Sequence, residues 1–283
     1  MGFMRERLMY QYRKHLRGSF LKYSFALIIF MSFIFLCLLG GILLEGESFR
    51  EIDFIFIGFL IAGLFIFLLF ELVLIYFLLL KRFKYINVAL TEEAIIYNNK
   101  KKKIIIPYEE IISIKYPSLK YLGGWLEIKY NGGKIRLTVV LENIGDFTSK
   151  LIKILDNLDK SNVYNEKKSF NFFKTASFSD ESWDRMYINI KYMLFMEYLS
   201  LFIIIILASL GIIYGDYSLI VGGIFTPVIG YLISEIILGR MFSKRVVSKE
   251  FQILPRDLNK EKKIIRICIA LSLLLYIFIL VFI

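Results

Sequence analysis

From Ser24 to Leu44 the chain carries no charged residue for 21 positions. At about 1.5 Å per residue, a helix of that length covers roughly 30 Å, the thickness of the hydrocarbon core of a bilayer. Four further apolar runs follow: Phe54–Leu80, broken only by Glu71, then Tyr192–Tyr214, Tyr217–Gly239 and Ile267–Ile283. About five transmembrane helices are therefore expected. Composition agrees, with 57% hydrophobic residues and a mean hydropathy of +0.62, values that long uncharged runs produce.

The formal net charge is +11. In a soluble protein that balance would suggest nucleic acid, but here the basic residues flank the apolar runs, and no nucleic-acid partner is expected. Six Lys or Arg lie in residues 1–22, one in the loop Glu45–Asp53, none in Gly215-Asp216 and nine in 240–266. The excess of positive charge on cytoplasmic loops then sets the orientation. The N-terminus, the central region and the 240–266 loop face the cytoplasm, and the C-terminus lies outside. Ile, Lys and Asn bias suggests a bacterial source, hence a multi-pass protein of the bacterial cytoplasmic membrane.

Between the spans the character changes. In residues 1–22, Met4, Leu8, Tyr12, Leu16 and Phe20 recur every four positions among basic residues, the pattern of an amphipathic helix at a membrane surface. From Tyr85, short β-rich segments alternate with turn residues: Tyr85–Leu90, Ala94–Tyr97, Ile104–Ile106, Ile111–Tyr116, Trp125–Tyr130 and Lys134–Val140. Asn131-Gly132-Gly133 marks a hairpin. Ile144, Phe147, Leu151, Ile152 and Leu155 then fall at helical spacing within Glu142–Leu158.

Several stretches carry a resemblance. They are Leu90–Tyr97 (Leu-Thr-Glu-Glu-Ala-Ile-Ile-Tyr), Ile106–Ile111 (Ile-Pro-Tyr-Glu-Glu-Ile), Trp125–Ile128, Gly133–Ile135 and the helix after Glu142-Asn143. Together they resemble the bacterial pleckstrin-homology-like domain of small bacterial membrane proteins, over roughly residues 82–158. The resemblance implies an α+β membrane protein with one cytoplasmic β-barrel capped by a C-terminal helix. It implies binding or assembly rather than catalysis, and an association with envelope stress and resistance to membrane-active peptides. The expected organisation is a basic N-terminal segment (1–22), helices 1–2 (23–81), the β domain (82–158), a linker and helix lead-in (159–191), helices 3–4 (192–239), a basic loop (240–266) and helix 5 (267–283).

Candidate functional residues are few. Glu71, Glu197 and Glu235 lie inside spans, where a carboxyl is costly and faces a bundle interior or a cavity. They form either a polar site for protons or a cationic substrate, or paired groups that fix packing, for example with Arg266 or Lys191. Lys100, Lys101, Lys102 and Lys103 occupy a hairpin tip and form either a contact with anionic lipid headgroups or a solvated turn. Gly222, Gly223, Pro227 and Gly230 mark the fourth span as a broken helix lining a path or as a close-packing surface. No zinc-protease, nucleophile-elbow or phosphate-loop motif is present. Tyr214-Gly215-Asp216 lacks a partner Asp in another span. His15 is the only histidine, and Cys37 and Cys268 sit at different depths, so neither a metal site nor a disulfide is expected. No catalytic residue and no cofactor are expected. The expected partners are the lipid bilayer and either a protein partner or further copies of the chain. The expected function is docking or assembly at the inner membrane surface; the alternative is a small transporter or channel subunit using Glu71 and the fourth span.

Overall fold

In a computed structural model the structure describes residues 8–14, scattered positions between 63 and 77, and residues 81–209, 217–247 and 251–282. The first two expected spans, Glu71, His15, Cys37 and the turn at 215–216 lie outside those residues or nearly so. The chain divides into two compact units, residues 1–111 with 140–142, and residues 112–139 with 143–283.

The first unit holds an antiparallel sheet of four strands in the order β1 (Leu8–Gln11), β2 (Asn87–Leu90), β3 (Ala94–Asn98), β4 (Lys103–Pro107). Val88, Ile95, Ile106 and Tyr10 are buried in it. Thr91 builds the β2–β3 turn: its hydroxyl donates to the Ala94 carbonyl at 2.8 Å and accepts from the Ala94 N–H at 3.1 Å. Asn99 and Lys102 close the β3–β4 turn through paired backbone bonds of 2.8 and 3.2 Å. Lys100–Lys102 therefore form the tip and Lys103 opens β4, all four exposed.

The N-terminal segment corrects the expectation of a helix at that point. Leu8–Gln11 is a strand, paired from Leu8↔Leu90 to Gln11↔Asn87. Tyr10 and Tyr12 are buried, and Tyr12 stacks on Phe83 with ring centroids 4.3 Å apart. A spacing of four over so short a stretch does not outweigh a free sheet edge that supplies a full ladder of backbone bonds.

Tyr108 follows β4 in a short 3-10 turn. It is buried, and its hydroxyl donates to the Thr91 carbonyl at 2.7 Å. Burial pushes its phenol up to about 12. The unfolded chain releases that proton near pH 10, so the stability contribution is complete below that pH and is lost as pH rises through the folded value. Alkaline unfolding of the detergent-solubilised protein is accordingly expected to be less steep between those pH values in Tyr108→Phe than in the parent. Equal slopes would contradict this assignment.

The second unit opens with a second sheet of β5 (Ile111–Lys115, whose first residue belongs to the first unit), β6 (Ser118–Leu119), β7 (Gly123–Tyr130) and β8 (Gly133–Thr138). Its order is β5-β7-β6, with β8 paired to β7. Leu126, Ile128, Ile135 and Leu137 alternate inward. Across β7 and β8, Arg136 Nε donates to Glu127 Oε2 at 2.5 Å, and this bond holds the Glu127 carboxyl below its ordinary range. The β7–β8 loop is Asn131-Gly132, and Gly133 has φ of +138°, a backbone state that favours glycine. The strands thus form two separate four-stranded sheets. No closed barrel is found among the described residues, because no single hydrogen-bonded ladder runs through all eight strands.

Helix α1 (Ile144–Asn157) follows the sheet and buries Ile144, Phe147, Leu151, Ile152 and Leu155. Helix α2 runs unbroken over Glu166–Ser209, 44 residues, about 66 Å at the α-helical rise. It therefore begins inside the expected linker. Its first half packs on the sheet and on α1. Tyr116 meets Phe172 with ring centroids 5.6 Å apart, the Tyr121 N–H donates to Thr175 Oγ1 at 3.3 Å, and the Asn143 N–H donates to Asp180 at 3.2 Å. Helices α3 (Tyr217–Arg245) and α4 (Leu258–Phe282) complete the chain, joined by a small hairpin of β9 (Val246–Val247) and β10 (Gln252–Ile253). The expected basic loop at 240–266 is thus helix at both ends with a hairpin between.

Glu166–Ile204, Phe225–Arg245 and Leu258–Leu280 are three stretches long and apolar enough to cross a membrane. Met196, Tyr231, Leu238, Ile265, Ile269 and Leu273 form the core between these helices. Leu194, Phe195, Phe202, Ile229, Ile233, Ile236, Leu271, Leu275 and Phe278 are exposed on their outer faces. Apolar exposure on that scale is the pattern lipid satisfies.

Candidate functional site

Where α2, α3 and α4 meet, the described residues concentrate charge. Glu181 and Arg185 stand one turn apart on α2 and so share a face. Arg185 is 2% exposed. Its guanidinium forms a two-point contact with Glu235 of α3, Nε to Oε1 at 2.9 Å and Nη2 to Oε2 at 2.7 Å. Ser182 Oγ donates to the same Oε2 at 2.7 Å. From α4, Glu261 is buried, with Oε2 3.8 Å from Arg185 Nη1.

The residues flanking the β9–β10 hairpin add two more cations. Arg245, last residue of α3, donates from Nη1 to the Leu254 carbonyl at 3.0 Å, while Leu254 N–H donates to the Arg245 carbonyl at 3.0 Å. That clasp turns the chain back and places Arg245 on Glu181 and Arg256 on Asp184 at 2.8 Å. Glu261 lies 3.9 Å from both Arg245 and Arg256. Three guanidiniums thus face three glutamates, with Asp184 at the exposed rim, so the buried charges balance within the cluster. Arginine does not release its proton, so the arrangement offers no acid–base pair. What it does is join α2, α3, α4 and the hairpin.

Of the sequence candidates, Glu235 enters this cluster, paired with Arg185 rather than with Arg266 or Lys191. The Arg266 guanidinium instead lies 5.2 Å from the centre of the Tyr192 ring. Glu197 is buried about 18 Å further along α2. Among the described residues no hydrogen bond or ion pair holds it. Glu71 lies outside the described residues. The lysines at 100–103 are exposed on the first unit, Lys100 with its ammonium 5.2 Å from the Tyr85 ring centre. Helix α3 continues through Pro227, and a Cβ at Gly230 would lie 2.7 Å from Ile269 Cα, so this glycine serves close packing on α4. Arg185, Arg245, Arg256 and Glu261 were not singled out by sequence. The available signal was the i, i+4 pair Glu181 and Arg185 just before an apolar run.

Among the described residues no group of three or more His, Cys, Asp or Glu is placed to hold a metal ion. The three apolar helices fit a membrane protein. Comparison with known proteins returns no match: no family model, no curated protein and no solved structure is similar to this chain.

Proposed function

We propose that this is a non-catalytic protein of the bacterial cytoplasmic membrane whose pleckstrin-homology-like β region, on the cytoplasmic side, mediates docking or assembly at the inner membrane surface. The observation that carries this reading is the continuity of α2. One unbroken helix packs on α1 and the second sheet with its first half and joins the apolar bundle with its second. A sheet mounted in this way does not swing on a tether, so a partner bound to it is held at a set place relative to the bilayer. The charge-balanced cluster around Arg185 clamps that helix to its neighbours. Response to envelope stress and to membrane-active peptides is the first physiology to examine.

Affinity purification of the full chain in mild detergent, with co-purifying proteins and lipids identified by mass spectrometry, tests this. A stoichiometric membrane partner that is lost when residues 85–158 are deleted supports docking. A homo-oligomer retaining a small molecule instead favours transport. Glu197, buried and without a partner among the described residues, is the one observation that favours a transporter or channel subunit. The unbroken, closely packed α3 weighs against it. If Glu71→Gln abolishes a transport phenotype while deletion of 85–158 leaves it intact, the docking reading fails.

A further inference from the structure

The turn between β6 and β7 has an unusual composition. Leu119 and Leu122 close it, with the Leu122 N–H donating to the Leu119 carbonyl at 3.0 Å. They are 71% and 85% exposed. Turns ordinarily expose Gly, Asn, Asp, Ser or Pro. Between the leucines, Tyr121 adopts φ of +62°, a conformation uncommon for a bulky residue. It is held there from the inside. Its N–H reaches Thr175, and its ring packs edge-on to Phe178 at 5.1 Å and Phe242 at 6.0 Å between centroids. With the Tyr121 ring pinned inward, the two leucines are left outside.

Those anchors fix the depth of the turn. Phe242 belongs to the apolar stretch Phe225–Arg245. The exposed apolar face of α3 reaches Ile236 and Ile237, about 8 Å of helix from Phe242. Headgroup layers add roughly 5–8 Å on each side of the hydrocarbon, so, measured along α3, Phe242 and Tyr121 beside it lie near the outer edge of the headgroup layer. On α2, Trp183 and Tyr187 pair with ring centroids 6.3 Å apart, about 8 and 14 Å of helix past Phe178 toward the apolar bundle. Such aromatics mark a membrane–water interface. Charge points the same way. Lys120 is exposed in the turn, and Lys174 of α2 is the neighbour of Thr175, which accepts the Tyr121 N–H. Two neighbouring cations beside exposed leucines suit an anionic lipid surface.

We infer that the Leu119–Leu122 turn is an interfacial foot. Its leucines enter the headgroup–acyl boundary of the bilayer that the helices cross, and Lys120 and Lys174 meet anionic lipid headgroups there. This rests on the membrane reading above and adds a second contact between the β region and the lipid, besides the helices.

The test uses the full chain with Cys37→Ser and Cys268→Ser, reconstituted in vesicles containing phosphatidylglycerol. A nitroxide is attached in turn at Leu122→Cys, at Ile233→Cys on the outer face of α3, and at Ile112→Cys, exposed on β5. Power saturation compares access of dissolved oxygen with access of a water-soluble nickel chelate. The label at 122 is expected to show several-fold less nickel access than the label at 112, with oxygen access approaching that at 233. Adding Lys120→Glu and Lys174→Glu is expected to return the label at 122 toward water in these vesicles and to change little in pure phosphatidylcholine. Nickel access at 122 equal to that at 112, with 233 still in lipid, overturns the foot and leaves the membrane reading standing. Aqueous access at 233 overturns both. Low access to both reagents at 122 means a protein surface covers the turn, and overturns lipid as its occupant.

Discussion

Arg185→Leu is expected to destabilise the second unit by about 3–5 kcal/mol, the usual consequence of removing one partner from a buried ion pair. Arg185 is almost fully buried and lies within 4 Å of Glu235, Glu181 and Glu261. Without it, Glu235 keeps only neutral donors, Ser182 and the Tyr231 hydroxyl, and Glu261 keeps Arg245 and Arg256 at 3.9 Å. A carboxylate stranded in an apolar bundle has to take up a proton or draw in water. Arg185→Lys is expected to lose less, since charge is kept while the two-point fork on Glu235 is not. Arg185→Leu combined with Glu235→Leu is expected to recover more than half of the loss, because a buried pair replaced whole is often neutral. Thermal unfolding in mild detergent across this double-mutant cycle measures the coupling. If Arg185→Leu shifts the midpoint no more than a substitution on the outer face of α3, the cluster does not clamp the helices.

How much of this arrangement the sequence discloses depends on whether the signal is periodic. Residues 87–138 alternate in strand fashion, and the hairpins fall at Thr91-Glu92-Glu93, Asn99–Lys102 and Asn131-Gly132, where turn chemistry places them. The α1 stripe from Ile144 to Leu155 is visible at once. The third, fourth and fifth apolar runs correspond to α2, α3 and α4, each helix extending past its run at the charged end. Two misreadings have physical causes. In residues 1–22 a spacing of four masked the alternate burial of Tyr10 and Tyr12, and only the partner strand 76 or more residues away decides between them. In the expected linker, Ser169, Phe172, Phe173 and Ala176 are buried at i, i+3, i+4 and i+7, a helical face hidden by the lysines around it. Of the Arg185 cluster, only Glu235 and the i, i+4 pair of Glu181 and Arg185 left a mark in the sequence. Its members come from four elements, and no spacing along the chain records which guanidinium faces which carboxylate.

Gly230→Val is expected to be the most damaging substitution on α3 that changes no charge. A Cβ at Gly230 would meet the backbone of α4 directly, 2.7 Å from Ile269 Cα and 2.9 Å from the Cys268 carbonyl oxygen. Backbone atoms in a helix cannot swing aside as a side-chain tip does, so α3 and α4 have to separate. Separation also strains the packing of Ile269 and Leu273 against Tyr231 and the bond from Ser272 Oγ to the Thr226 carbonyl at 3.1 Å. Overpacking of this kind costs about 3 kcal/mol or somewhat more, and in lipid no hydrophobic drive restores the contact. Gly222→Ala provides the contrast on the same helix, since its new Cβ would sit 3.4 Å from the Tyr276 ring, which can yield. A midpoint shift in detergent several times larger for Gly230→Ala than for Gly222→Ala, and larger again for Gly230→Val, is the expected order. Equal shifts for the two alanine variants would mean that α3 and α4 are not in close contact at Gly230. The fourth span would then have room for the broken-helix path that a transporter needs.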